Sequence, residues 1–142
     1  MKNMFKGCSS LISINLNNAE TINLNNARSM FDGCESLISI SLSNFITDKV
    51  TDMGNMFYNC KKLETIDLSS FNTDNVLIMT EMFEGCSSLQ KIDLSNFVTN
   101  SLTEMDNMFS GCEKLSFLDI SNFYIPCTSM IKIFDNNKNI IM

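Results

Sequence analysis

The chain has 142 residues, of which 44% are hydrophobic and 18% charged, so it has enough apolar surface to fold. Its formal net charge of −6 argues against nucleic-acid binding, which depends on clustered Lys and Arg, and histidine, the commonest general base and metal ligand, is absent. The chain also lacks an apolar run long enough to predict a membrane span.

A unit of 26 residues recurs along the whole chain. Each copy begins with a Met-Phe pair, and these pairs start at Met4, Met30, Met56, Met82 and Met108. Self-similarity at a period of about 20–50 residues is typical of stacked repeats. We therefore predict one solenoid over residues 1–142, with units near 4–29, 30–55, 56–81, 82–107 and 108–132 and a partial unit at 133–142. Neither end has a polar capping unit, so we expect a fragment of a longer array.

Each unit carries the apolar pattern L-x-x-I-x-L or a close variant of it. The copies lie at 11–16, 37–42, 63–68, 89–94 and 115–120. Apolar residues at a period of two over so short a run indicate a β-strand. Because the copies recur at a fixed spacing, we predict a parallel sheet with one strand from each unit. A second short strand is expected near 50–51 and 102–103.

The segment that precedes each strand has a helical period instead. Val50, Met53, Met56, Phe57 and Cys60 are spaced as one face of a helix, which predicts short helices near 53–58, 79–84 and 105–110. The residue two positions after each Phe is Gly or Asn: Gly7, Gly33, Asn59, Gly85, Gly111 and Asn136. Because Gly and Asn tolerate positive φ, this residue is predicted to end each helix in the left-handed conformation.

Three further columns of equivalent residues follow the strands. The first is predicted to form a stacked aromatic spine and contains Phe45, Phe71, Phe97 and Phe123. The second should hydrogen-bond the turning backbone and contains Thr21, Thr47, Thr73 and Thr99. The third should provide partners for backbone groups at the strand exits and contains Asn18, Asn44, Ser70, Asn96 and Asn122.

The cysteines do not point to a metal or catalytic site. Five of them share one column (Cys8, Cys34, Cys60, Cys86 and Cys112), and Cys127 lies apart. Zinc sites need close pairs such as C-x-x-C, and a nucleophile needs a base, which this chain does not offer. We predict buried, reduced column thiols, no catalytic residue, no cofactor and no metal, and therefore no enzyme.

The outward positions of the predicted strands are the candidate binding face. In the last three units these positions hold Thr65, Asp67, Lys91, Asp93, Phe117 and Asp119. The strand side of a solenoid is the usual extended binding surface, and here it is acidic with one aromatic residue. The alternative interpretation is a sheet face that is merely solvated.

The consensus M-F-x-G-C-x-x-L-x-x-I-D-L-S-N-F-x-T resembles the repeats of the BspA-type leucine-rich repeat surface proteins, and the resemblance covers essentially the whole chain. It implies an α/β repeat solenoid, a leucine-rich-repeat-like right-handed coil with a parallel β-sheet on one face and short helices on the other. It also implies a non-enzymatic module of a cell-surface adhesin that binds a protein or a glycan.

A second hypothesis is a structural spacer, or an array that associates end to end with further copies and has no specific ligand. The resemblance implies a location at the cell surface, or secretion as part of a longer protein. The alternative is a cytoplasmic location, because the first ten residues lack the apolar stretch of a signal peptide.

Overall fold

The computed structural model describes residues 1–124, 133–135 and 137, which form a stack of coils. Four strands lie on one side of the stack: β1 (Ser13–Asn15), β2 (Ser39–Ser41), β3 (Lys91–Asp93) and β4 (Phe117–Asp119). β1 pairs with β2, and β3 pairs with β4, both in parallel. The predicted positions and parallel pairing are confirmed for these four segments, although each strand is shorter than its apolar pattern.

The segment 63–68 forms no strand, in contrast to the prediction. Within the described residues its ladder contacts are a parallel bridge from Thr65 to Lys91 and one hydrogen bond, from the Gln90 amide to the Glu64 carbonyl at 2.9 Å. Leu63 and Leu68 are nevertheless buried in the core. The apolar pattern therefore determines which side chains face inward, whereas a strand also needs neighbours in register.

No helix occurs among the described residues, so the helices predicted near 53–58, 79–84 and 105–110 are wrong. In a helix every amide bonds back along its own chain. Here only alternate amides do so: the Met56 amide donates to the Met53 carbonyl at 3.2 Å, but the Phe57 amide donates to the Met82 carbonyl at 2.9 Å in the next coil. The segment is a series of turns joined to the neighbouring coil.

Two columns of left-handed residues lie in this segment. The predicted column has φ between 54° and 74° at Gly7, Gly33, Asn59, Gly85 and Gly111, which confirms its conformation although it ends no helix. Asn136 of the same column lies outside the described residues. The second column, four residues earlier, has φ between 53° and 59° and contains Asn3, Ser29, Asn55, Glu81 and Asn107.

The turns form a ladder, here called the turn-side ladder, whose hydrogen bonds all run in one direction. The amides of Asn55, Phe57 and Asn59 donate to the carbonyls of Thr80, Met82 and Glu84 at 2.7–2.9 Å. The same pattern recurs in the preceding and following coils. The amides of these alternate residues thus point to the following coil, and the carbonyls that accept them point to the preceding coil.

A second, sparser set of contacts between coils lies along the chain between the strands and the turn-side ladder. Isolated parallel bridges connect Asn26 to Asp52, Asp52 to Ile78, and Ile78 to Glu104. The second strand expected near 50–51 and 102–103 is therefore wrong as a strand, since the pairing is limited to single bridges one or two residues further along.

The core consists of aligned columns of equivalent side chains. Phe45, Phe71, Phe97 and Phe123 stack with ring centroids 5.8–6.4 Å apart, which confirms the aromatic spine. A second aromatic column, with centroids 5.3–5.8 Å apart, contains Phe5, Phe31, Phe57, Phe83, Phe109 and Phe134. Offset stacking of this kind adds stability beyond the apolar area that the rings bury.

The threonine column replaces missing ladder contacts at the corner after the strands. The Thr73 hydroxyl donates to the Val98 carbonyl at 2.9 Å and accepts the Val98 amide at 2.8 Å. Thr47 makes the equivalent pair of bonds with Asn72 at 2.7 and 2.8 Å. This confirms the predicted role of the column and explains why a polar side chain is fully buried there.

Candidate functional site

The outward-pointing side chains of the four strands and of residues 64–67 form one surface, here called the strand face. Thr65 bridges to Lys91, Lys91 lies opposite Phe117, and Asp93 lies opposite Asp119. The six predicted site residues are thus brought together as two adjacent rows. Five of them are exposed and Asp119 is half-buried.

The aspartates of the strand face also cap the turn after each strand. Oδ1 of Asp67, Asp93 and Asp119 accepts the amide two residues later, at 2.9 Å in each case. The donors are the amides of Ser69, Ser95 and Ser121. Each of these side chains therefore satisfies a backbone amide where the chain turns after the strand position.

The same cap occurs without a charge at the start of the array. Oδ1 of Asn15 accepts the amide of Asn17 at 2.9 Å, which is the aspartate geometry with an amide side chain. The cap therefore requires a side-chain oxygen, not a negative charge. This separates the two contributions of each aspartate, because an Asn substitution removes the charge and keeps the cap.

These turns hold two of the carboxylates in their ionised form. Hydrogen bonds from Ser69 lower the pKa of Asp67, and hydrogen bonds from Ser95 lower the pKa of Asp93. A carboxylate that accepts hydrogen bonds is favoured over the neutral acid. No ion pair among the described residues neutralises Asp67, Asp93 or Asp119. The row is therefore negative at neutral pH.

A cavity of about 160 Å³ lies between the exits of the third and fourth units. Asp67 and Asp93 flank it, and its other lining residues are Ile66, Leu68, Ser69, Ser95 and Asn96. Asn96 closes one side, because its Nδ2 donates to the carbonyls of Leu68 at 3.1 Å and Phe71 at 2.9 Å. Two carboxylates beside a small cleft form a surface suited to a cationic group.

The strand face also includes apolar residues that the sequence interpretation missed. Ile12 is 61% exposed and Ile38 is 49% exposed, next to each other in the first two units. The equivalent residues in the third and fourth units are Glu64 and Gln90. Ile12 and Ile38 occupy the second position of L-x-x-I-x-L. The alternation of a strand predicts an inward side chain at that position, so their exposure was not expected. The first two units thus have exposed Ile12 and Ile38 beside the polar residues Ser13, Asn15 and Ser39, whereas the later units are acidic, with Phe117 50% exposed.

The cysteine column is inert where it is buried. Cys34, Cys60, Cys86 and Cys112 are fully buried free thiols, and each Sγ donates to a phenylalanine carbonyl at 3.1–3.3 Å. Burial raises the pKa of Cys34 to about 11 and that of Cys112 to about 12, and it also raises the pKa values of Cys60 and Cys86. Cys8 is exposed, so the prediction of burial is wrong for it, because no preceding coil covers it within the described residues. Cys127 lies outside them.

Two other kinds of site are absent from the part of the chain that the structure describes. It contains no group of three or more acidic or thiol side chains placed to hold a metal ion. It also contains no helix with the length and hydropathy needed to cross a membrane.

Comparison with known proteins places the chain in a family. No curated protein matches it. Among solved structures, the crystal structure of a leucine-rich repeat protein from T. pallidum is 20% identical, with a TM-score of 0.48 over 82% of this chain, which spans 60% of that protein. A likeness this distant carries no argument about function. A family model described as "Mycoplasma protein of unknown function, DUF285" matches residues 1–123, and the chain therefore belongs to that family.

Proposed function

We propose that this chain is a non-enzymatic binding module that takes a protein or glycan partner on its strand face. The observation that carries the proposal is the row formed by Asp67, Asp93 and Asp119, whose charge has no counter-ion among the described residues. The caps explain why a side-chain oxygen is present at this position, but they do not explain its negative charge, because the neutral Asn15 makes the same cap. Like charges on adjacent strands destabilise a sheet, so their presence is better explained by a partner.

The chemistry of the face indicates a cationic partner with an apolar portion. The carboxylates would pair with lysine, arginine or amino-sugar groups, which gives specificity and a faster encounter. Phe117 beside Asp119 would provide an aromatic anchor of the kind that dominates binding energy. Ile12 and Ile38 would add apolar contact at the other end of the face.

The resemblance of the repeat consensus to BspA-type surface proteins supports an adhesin-type role at a cell surface, within a longer protein. A solenoid suits this role because its side chains form an extended surface whose composition varies unit by unit while the core repeats. The outward residues differ between these units while the core columns repeat, so they would determine which partner is bound.

The test is a triple variant, Asp67→Asn, Asp93→Asn and Asp119→Asn, assayed for capture on a glycan array and on a panel of basic proteins. Because Asn keeps the cap, we expect the variant to stay folded with at most a small loss of stability, while capture falls and its salt dependence weakens. The matched control removes three charges from the flank, at Glu20, Asp48 and Asp74, by Glu→Gln and Asp→Asn changes. Capture that survives the strand-face variant unchanged would exclude this face as the binding site.

A structural spacer or self-associating array is the second candidate, and the polarity of the turn-side ladder favours it. Because all its amides point one way, one end of any such stack presents carbonyls and the other amides. Two stacks could therefore join only head to tail, a heterologous contact that extends into filaments. Sedimentation distinguishes the two candidates: a monomer that captures a partner supports binding, and concentration-dependent growth supports the array.

A further inference from the structure

The strand-side hydrogen bonds differ between unit pairs that have nearly the same sequence. Two backbone hydrogen bonds join the strand sides of the first and second units, one just before the strand and one at its exit. The same two bonds join the fourth and fifth units. The donor and acceptor pairs are Ile38 to Ile12 at 2.8 Å, Leu16 to Ser41 at 2.9 Å, Ser116 to Gln90 at 3.0 Å and Leu94 to Asp119 at 2.9 Å. These bonds keep the two strand pairs in register.

Neither bond forms between the second and third units. By the 26-residue spacing, the amide of Glu64 should donate to the carbonyl of Ile38. The amide of Leu42 should likewise donate to the carbonyl of Asp67. No backbone hydrogen bond or bridge among the described residues joins these two strand segments. The following junction keeps one of its two bonds, from Gln90 to Glu64. The backbone hydrogen bonds of the strand side are therefore completely missing only between the second and third units of the described residues.

The aromatic columns show a change at the same junction. Phe45 and Phe71, which span it next to the strand exits, have ring planes 20° apart. The next two pairs along that column are 5° and 11° apart. In the other aromatic column, Phe31 and Phe57 span the same junction with their rings only 6° apart. The change is therefore confined to one side of the core.

The turn-side ladder continues across this junction without a gap. Its bonds between these two units have ordinary lengths: Phe31 to Met56 at 2.9 Å and Gly33 to Tyr58 at 2.8 Å. On the strand side the backbone ladder is absent, and side-chain bonds at the exit remain, from the Ser70 hydroxyl to the Leu42 carbonyl at 2.9 Å and between Thr47 and Asn72. A stack that keeps its backbone ladder along one side and loses it along the other can bend about the side that keeps it. We propose that the array flexes between its second and third units, with the turn-side ladder as the hinge line.

This flexure has a direct consequence for the strand face. It divides the face into a block with the exposed Ile12 and Ile38 and an acidic block with Asp67, Asp93 and Phe117. Bending changes the separation and angle between the two blocks while each keeps its own geometry. The proposal rests on hydrogen bonds and ring planes and stands whether or not the face binds a partner.

Residue-resolved amide hydrogen exchange tests the missing bonds in the unmodified chain. Glu64 and Gln90 are equivalent positions, as are Leu42 and Leu94, and the second member of each pair is hydrogen-bonded. We expect Glu64 and Leu42 to exchange at least about tenfold faster than their equivalents, because local opening governs protection. Equal protection within each pair would mean that the ladder is continuous, and it would overturn the proposal.

Residual dipolar couplings in a weakly aligning medium test the motion itself. Couplings from residues 11–45 and 63–123 are fitted to separate alignment tensors. We expect tensors of different magnitude, because bending averages the orientation of one block relative to the other. One tensor of a single magnitude that fits both blocks would show a rigid array and would also overturn the proposal. Ligand capture does not enter either measurement, so the outcome is independent of the proposed function.

Discussion

Replacing Thr73 with Val removes a hydroxyl that makes two hydrogen bonds to the next coil and keeps the shape of the side chain. The side chain is 1% exposed, and its Oγ1 lies 2.9 Å from the Val98 carbonyl and 2.8 Å from the Val98 amide. The variant leaves both backbone groups without this partner. The two bonds are partly buried, and a hydrogen bond contributes about 0.5–1.5 kcal/mol, so we expect a loss of about 1–3 kcal/mol of unfolding free energy.

Such a loss is a large part of the roughly 5–15 kcal/mol that stabilises an ordinary domain. The assay is urea denaturation followed by circular dichroism, with the midpoint compared at constant slope. Thr73→Ser is the control, because it keeps the hydroxyl and loses about one methyl group, worth about 0.8 kcal/mol. If Thr73→Val lies within about 0.5 kcal/mol of the parent chain, the threonine column does not hold adjacent coils together and the reasoning fails.

Three further predictions follow from single columns. The four buried thiols should not react with Ellman's reagent at neutral pH but should react in denaturant, because they are buried and their pKa values are raised; they belong to Cys34, Cys60, Cys86 and Cys112. Cys60→Ser should cost about 1–3 kcal/mol of unfolding free energy, because it places a hydroxyl in an apolar stack. Gly85→Ala should cost at least about 1–2 kcal/mol on thermal unfolding, because φ is 73° and the added Cβ would collide with the Asn59 side chain. The pKa of Asp67 is lowered from 3.8, so its contribution to stability is present at neutral pH and lost as the pH falls through the folded value; Asp67→Asn should flatten that acid loss.

Each of these predictions has an outcome that contradicts it. Mass spectrometry that finds disulfides among the four buried cysteines would overturn the thiol assignment. Gly33→Ala serves as the control for Gly85→Ala, because the position has the same positive φ but its added Cβ meets only ordinary contacts. Equal losses for the two variants would mean that the Asn59 contact is irrelevant. For Asp67, an acid unfolding curve unchanged by the Asn substitution would exclude the linkage.

The sequence predicted the parts of the fold that depend on which side chains face inward. Four of the five strand positions, the aromatic spine and the threonine column are confirmed in the described residues, and all follow from residues repeated at 26-residue spacing. Repetition makes such columns reliable, because equivalent residues in a solenoid occupy equivalent environments.

The helices failed for a physical reason. Val50, Met53, Met56 and Phe57 are all buried, so the apolar spacing identified the core face correctly. That spacing does not report where the backbone amides find partners. The missed signal was Asn55, a second position of positive φ four residues before Asn59, which is incompatible with a regular helix.

The candidate site was predicted in part. The outward positions Thr65, Lys91 and Phe117 lie together as expected, because the strand register brings them there. The capping role of the aspartates was missed, since it depends on the turn that follows each strand and not on the strand pattern. The absence of a strand at 63–68 was also unpredictable, because its apolar pattern is the same as in its neighbours.

The most direct test of the central claim is an NMR titration of the ¹⁵N-labelled chain with a partner captured from the panel of basic proteins or the glycan array. The account predicts amide shift changes that centre on Asp67, Asp93 and Phe117 and that disappear in the triple Asp→Asn variant. Shift changes confined to the turn-side ladder, around Asn55 and Glu81, would contradict it and place binding on the opposite side of the solenoid.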